Sequence, residues 1–175
     1  MKKIIAISCV VAVFCGLQVA AAHGQLVRFS DIQPKLETDL ASLARITDQL
    51  EEIQAAMDAS GKANANYNQQ KNIYLSSALA ISTISAVCEY ETNLLALFID
   101  LKEKNRRQYY DVRISSLETS VRQIENMYRQ IQINYTIFPP NLFEAPLVRN
   151  ERLAIQAAVE RLQRCSELLK SVNQK

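Results

Sequence analysis

Few side chains in this 175-residue chain could do chemistry, and their spacing limits what that chemistry could be. The single histidine, His23, lies next to a small-residue stretch near the N-terminus, where a chain end is seldom ordered enough to hold a general base. Glu89 and Glu91 are two positions apart, so on a helix they face different directions and make no carboxylate pair. A di-iron bundle needs Glu-x-x-His repeats, and one histidine cannot supply them. No P-loop, G-x-S-x-G or H-E-x-x-H pattern is present. These absences predict no catalytic residue, no metal site and no cofactor, and hence a protein that is not an enzyme.

The cysteines offer a different chemistry. Lys2 and Lys3, an uncharged apolar run from Ile4 to Leu17, and then Ala20, Ala21 and Ala22 follow the order of a secretory signal peptide. Residues 1–22 are therefore expected to be removed, with cleavage before His23 or, second, before Gln25; a lipoprotein beginning at Cys15 is disfavoured by bulky Phe14 before it. Cys9 and Cys15 would leave with the signal. The remaining pair, Cys88 and Cys165, predicts a disulfide in an exported chain, worth about 4 kcal/mol in the loop-entropy model. Neither has a C-x-x-C neighbour, which argues against a thiol oxidoreductase.

Charge narrows the partners. The whole chain has 20 Lys and Arg against 18 Asp and Glu, and loss of Lys2 and Lys3 (20 − 2 = 18) leaves a mature chain with no net charge. That balance lacks the electrostatic footprint of a nucleic-acid binder. Lys102, Glu103, Lys104, Asn105, Arg106 and Arg107 form the strongest local basic run, read as a solvated helix turn or, more sharply, as a site for an anionic lipid or acidic partner.

Only 3 glycines and 4 prolines in 175 residues leave too few turns for an all-β chain and favour long helices. After an N-terminal lead at 23–30, residues 31–175 read as one all-α domain, an antiparallel bundle with helices at about 31–59, 63–104, 107–135 and 148–173. Ser30 and Gln33 form a capping-box pattern for the first, which repeats Leu36, Leu40, Leu43, Thr47, Leu50, Ile53 and Met57 on one face and ends at Ser60 and Gly61. The second has no charge between Ile73 and Cys88; serines and threonine interrupt it, so a buried bundle helix is expected and not a membrane span. The third carries a heptad seam from Tyr110 through Ile114, Leu117, Val121, Ile124, Tyr128 and Ile131 to Tyr135, with Glu118–Arg122 and Glu125–Arg129 pairs outside it. The last places Ile155, Ala158, Leu162, Cys165, Leu169 and Val172 inward.

Heights along these helices put Cys88 and Cys165 about 24 Å and about 16 Å from the same bundle end, near enough for a bridge. In a simple up-and-down bundle, however, their helices are diagonal, so the disulfide would need helices two, three and four in a compact trio with helix one at its side. Acidic helix one (Asp31, Glu37, Asp39, Asp48, Glu51, Glu52, Asp58) and basic helix four (Arg149, Arg152, Arg161, Arg164, Lys170) could form register-setting surface pairs, or be two solvated faces.

Two features point to contact. Ile137, Phe138, Pro139, Pro140, Leu142 and Phe143 make the connection before the last helix unusually apolar; it is either a plug over the bundle end or an interaction loop. A signal ending near Ala22-His23-Gly24-Gln25, the lead Leu26-Val27-Arg28-Phe29-Ser30-Asp31 and the run Leu43-Ala44-Arg45-Ile46-Thr47-Asp48-Gln49-Leu50-Glu51-Glu52-Ile53-Gln54 resemble the start of minor pilus subunits of type IV secretion and conjugation systems. The resemblance covers residues 20–54 and carries over no functional residue. It implies an exported helical bundle, periplasmic or extracellular, whose partners are other envelope proteins or further copies of itself. The rival expectation is a soluble extracytoplasmic binder, with a small molecule between Tyr110, Tyr128, Tyr135 and the serine-rich second helix, or a chaperone-like helper using its apolar surface.

Overall fold

The computed structural model describes residues 27–63, 67–137 and 145–173, and all regular structure among them is helical. The elements are α1 (Phe29–Ala63), α2 (Tyr67–Asp100), the short α3 (Glu103–Arg107), α4 (Tyr110–Ile137) and α5 (Ala145–Asn173). The four long helices form an all-α antiparallel bundle. The neighbouring pairs are α1–α2, α2–α4, α4–α5 and α5–α1, a closed square in which α1 takes a full corner.

Polar contacts record the register. Ser76 accepts a hydrogen bond from Asn134 and Glu91 accepts from Ser116 and Ser120, so α2 and α4 run in opposite directions. Glu118 pairs with Lys170 at 2.5 Å, and Asn173 donates to Asp111, which sets α4 against α5. The Lys170 ammonium holds the Glu118 carboxyl below its ordinary range, chiefly through the hydrogen bond. Glu118 therefore reaches across helices and not to Arg122, which instead donates to Thr119.

The square explains a correction to the expected disulfide. Cys88 and Cys165 are free thiols, both completely buried. Their helices α2 and α5 occupy opposite corners, and the compact trio that a bridge requires does not form. Burial pushes both thiols up to about 12, so each is a neutral, core-packed SH group at physiological pH. In the folded protein both are expected to resist maleimide and to label fully in denaturant without reductant, as read by peptide mass mapping. Blocked Cys88 and Cys165 released only by reductant would mean a bridge.

Two helix ends also differ from the sequence reading. At the N-terminus the Arg28 N–H donates to Asp31 Oδ2 at 2.9 Å, so the cap lies two residues before Ser30, and Ser30 is already helical. At the other end α1 continues through Gly61 to Ala63, and Gly61 has no positive φ. Gly61 is there for space. A Cβ on it would lie 2.7 Å from Cδ1 of Tyr74, whose ring packs against the α1 backbone from α2. Gly61→Ala would add about 1 kcal/mol of helix propensity, but overpacking costs typically about 1–3 kcal/mol, so a net loss of about 1 kcal/mol is expected in a denaturant melt. A net gain would mean that the Tyr74 ring moves freely.

Among the described residues, the stretch Lys71–Asp100 in α2 is long and apolar enough to cross a membrane by length and composition. One side of it is core, with Ile81, Ile84, Cys88 and Leu95 fully buried, and the same stripe carries a charged residue, Glu91.

Candidate functional site

Each long helix carries one charged side chain on its buried stripe. In α1 the stripe is Ile32, Leu36, Asp39, Leu43, Ile46, Leu50, Ile53 and Met57; in α2 it is Tyr74, Ser77, Ile81, Ile84, Cys88, Glu91, Leu95 and Phe98. In α4, Arg113 and Ser120 share it with Tyr110, Leu117, Ile124 and Ile131, and in α5 Glu151 precedes Ile155, Ala158, Leu162, Cys165 and Leu169. The steps are three or four residues, the coiled-coil repeat, except from Ile124 to Ile131 in α4, where the partly buried Met127 and Tyr128 stand between. Sequence reading of apolar residues passed over Asp39, Arg113 and Glu151, and treated Glu91 only as half of a possible pair with Glu89. The repeat pointed to Glu151, four residues before Ile155, but at Asp39 and Arg113 the apolar neighbours Leu40 and Ile114 satisfied it and hid the buried polar residue.

The three buried acids have unequal surroundings. Asp39 is held by two cations of α5: Arg164 binds both carboxylate oxygens, at 2.7 and 2.8 Å, and Arg161 reaches Oδ1 at 3.2 Å. This is the expected pairing of acidic helix one with the basic last helix, with the acid inside and the guanidinium groups partly in solvent. Glu91 pairs with Arg113 across the α2–α4 interface, and its Oε1 accepts from Ser116 at 3.0 Å and Ser120 at 2.6 Å. Burial pulls the Arg113 pKa down, opposed by Tyr90 and Cys165.

Glu151 has no cation among the described residues. The Tyr135 hydroxyl donates to its Oε2, while its Oε1 has no hydrogen-bond partner among the described residues. Burial raises its pKa to about 7, against the opposing hydrogen bond from Tyr135. The Tyr135 phenol is pushed up as well, first by burial and then by Glu151. The Asp39 cluster and the Arg113 guanidinium both act on the buried Cys165 of α5, so these two groups share one level of the bundle, whereas Glu151 and Tyr135 lie further along α5 and α4.

The basic run resolves into separate roles. Arg106 turns inward from α3, donates to the carbonyls of Phe98, Ile99 and Leu101 at the end of α2, and stacks on Phe29 at 3.8 Å. It thereby caps carbonyls that α2 leaves open and ties down the start of α1. Phe29, Phe98 and Tyr110 continue the contact as edge-to-face rings, 6.1 and 5.2 Å apart. Arg107 pairs with Glu103 in solvent at 2.7 Å. A cleft of about 700 Å³ opens at this end, bordered by Arg28, Phe29, Glu103, Arg107 and Tyr110.

The other residues nominated from sequence fall as follows. Tyr110 lies at the cleft end, whereas Tyr135, about 38 Å further along α4, belongs to the Glu151 contact, so the tyrosines do not line one pocket. Ile137 closes α4, and Phe138, Pro139, Pro140, Leu142 and Phe143 lie outside the described residues, as do the signal and the first half of the lead, His23 included. Among the described residues no group of three His, Cys, Asp or Glu side chains could hold a metal ion. Comparison with protein families, curated proteins and solved structures finds no match to this chain.

Proposed function

We propose that this chain is an exported, non-catalytic helical-bundle protein that acts by contact with other envelope proteins or with itself, as a minor component of a secretion or conjugation apparatus. The observation that carries the contact reading is the exposed apolar surface of α2. Leu75, Leu79, Tyr90 and Leu97 stand in solvent on a helix whose opposite side is already core. The envelope setting rests on the charged, apolar and small-residue order of residues 1–22, and the apparatus on the resemblance over 20–54.

Cross-linking in the native cell envelope, affinity capture of the tagged protein and mass spectrometry of the co-purified chains test this reading. Recovery of secretion-channel or pilus subunits is expected. Recovery of the protein alone, as a monomer, would overturn it and favour a soluble small-molecule binder or chaperone-like bundle, for which the cleft beside Phe29 and Tyr110 is the place to look.

A further inference from the structure

The outer face of α2 is patterned to meet a second copy of itself. Leu75, Leu79, Ser82, Ala86, Tyr90, Asn93 and Leu97 recur at three- and four-residue steps, away from the buried stripe of Ile81, Ile84, Cys88 and Leu95. Leu79 is 69% exposed, Leu97 64%, Tyr90 58% and Leu75 49%, so leucines lie toward both ends of the stripe and Tyr90 stands one step from its centre. Small Ser82 and Ala86 fill the other central positions. The adjoining side of α4 continues this chemistry through a groove of about 500 Å³, bordered by Thr83, Val112, Ser115 and Thr119 and lined by no charged residue.

About Ala86 the stripe is symmetric at its ends, where Leu75 mirrors Leu97, and pairs large with small or polar groups between them. Two α2 helices laid antiparallel on a two-fold axis at Ala86 bring Leu75 of one copy level with Leu97 of the other, Leu79 level with Asn93, and Tyr90 over the small Ser82. The charges agree with that register. Lys71 comes within one residue of the level of Asp100 in the other copy, and both side chains are exposed without an ion pair among the described residues. Glu89, at the edge of the stripe, meets Thr83 and no like charge. A parallel arrangement in register would instead place Lys71 beside Lys71 and Asp100 beside Asp100.

We propose that two copies of this chain associate antiparallel through the outer face of α2, with the two-fold axis at Ala86 and Lys71 of each copy facing Asp100 of the other. The stripe from Leu75 to Leu97 is about 33 Å long, and with the α4 flank about 20 Å wide it covers somewhat less than the roughly 800 Å² per partner of a standard interface. The dimer is accordingly weak, with a dissociation constant on the order of micromolar. This deepens the contact reading above and names the surface and the partner.

Sedimentation velocity of the purified protein over a low-micromolar to submillimolar series tests it, with circular dichroism melting as the check on folding. Wild type is expected to shift from monomer to dimer, and Ala86→Glu, which places two like charges on the axis at an exposed position, to weaken the dimer by about tenfold or more. Lys71→Glu or Asp100→Lys alone is expected to weaken it by about 3- to 10-fold, and the two together to restore it, because the sites lie at opposite ends of one helix and can meet only between copies. A wild-type monomer throughout, a dimer indifferent to Ala86→Glu, or no restoration by the double exchange would overturn the proposal. A monomer that co-sediments with phosphatidylglycerol vesicles would assign this face to a lipid surface and overturn it too. The outcomes separate from those of the capture experiment: envelope subunits recovered with a monomeric protein remove only the dimer, whereas a dimer recovered without them removes only the apparatus.

Discussion

Arg113→Met is expected to destabilise the bundle by about 3–5 kcal/mol, while Arg113→Met combined with Glu91→Leu is expected to cost little or to stabilise. In the single variant Glu91 keeps its two serine donors but becomes a fully buried carboxylate facing no cation. Removing one partner leaves the desolvation cost of the other uncompensated. In the double variant neither position carries a charge, and the seam from Cys88 to Leu95 becomes apolar throughout. Denaturant melts of the wild type, both singles and the double form a cycle whose coupling term reports the pair. Equal costs for the Arg113 single and the double would show that Arg113 acts through packing alone. Stability and uniqueness are separate readouts of the double variant, since a charged seam residue fixes which helices face each other; broadened amide resonances would report a loss of uniqueness.

The second large effect concerns Glu151 and pH. Its carboxyl titrates near 4.5 when exposed and at about 7 in the folded chain, because burial disfavours the charged form. Between those values the folded state holds a proton that the unfolded state has released. Stability from this group is therefore fully present below about pH 4.5 and is lost as pH rises through about 7, by up to about 3 kcal/mol. Glu151→Gln keeps an acceptor for the Tyr135 hydroxyl and carries no charge. It is expected to raise the melting temperature at pH 8.5 by about 5–10 °C and to flatten the decline between pH 5 and 8.5. An unchanged slope in the variant would place the pH dependence elsewhere. Asp39 differs in its surroundings, because Arg161 and Arg164 compensate its charge.

Much of the architecture is legible in the sequence because helices announce themselves locally. The step pattern from Tyr110 to Tyr135 and from Ile155 to Val172 marks residues that the structure places in or against the core. The scarcity of glycine and proline and the apolar periodicity were enough for an all-α antiparallel bundle. Helix ends were less legible. Gly61 looks like a stop signal but is a packing allowance for Tyr74, a residue on another helix. Likewise Arg106 looks like part of a solvated basic run, yet its donors cap the end of α2, from which it is separated by a change of chain direction.

What the sequence alone determined is the apolar stripe of α1, α4 and α5, because the 3.5-residue repeat is a property of one helix by itself. Which inward residue meets which depends on how the four helices go around the square, and that is a property of all of them together. Cys165 was correctly read as inward and Cys88 was expected to bridge to it, but a bridge needs adjacent corners, and α2 and α5 took opposite ones. The same tertiary choice gave Glu91 an arginine, Asp39 two, and Glu151 only a phenol. Three carboxylates that look alike in sequence are thereby three different groups, since the free energy of a buried charge is decided by the neighbour it finds and not by its place in the chain.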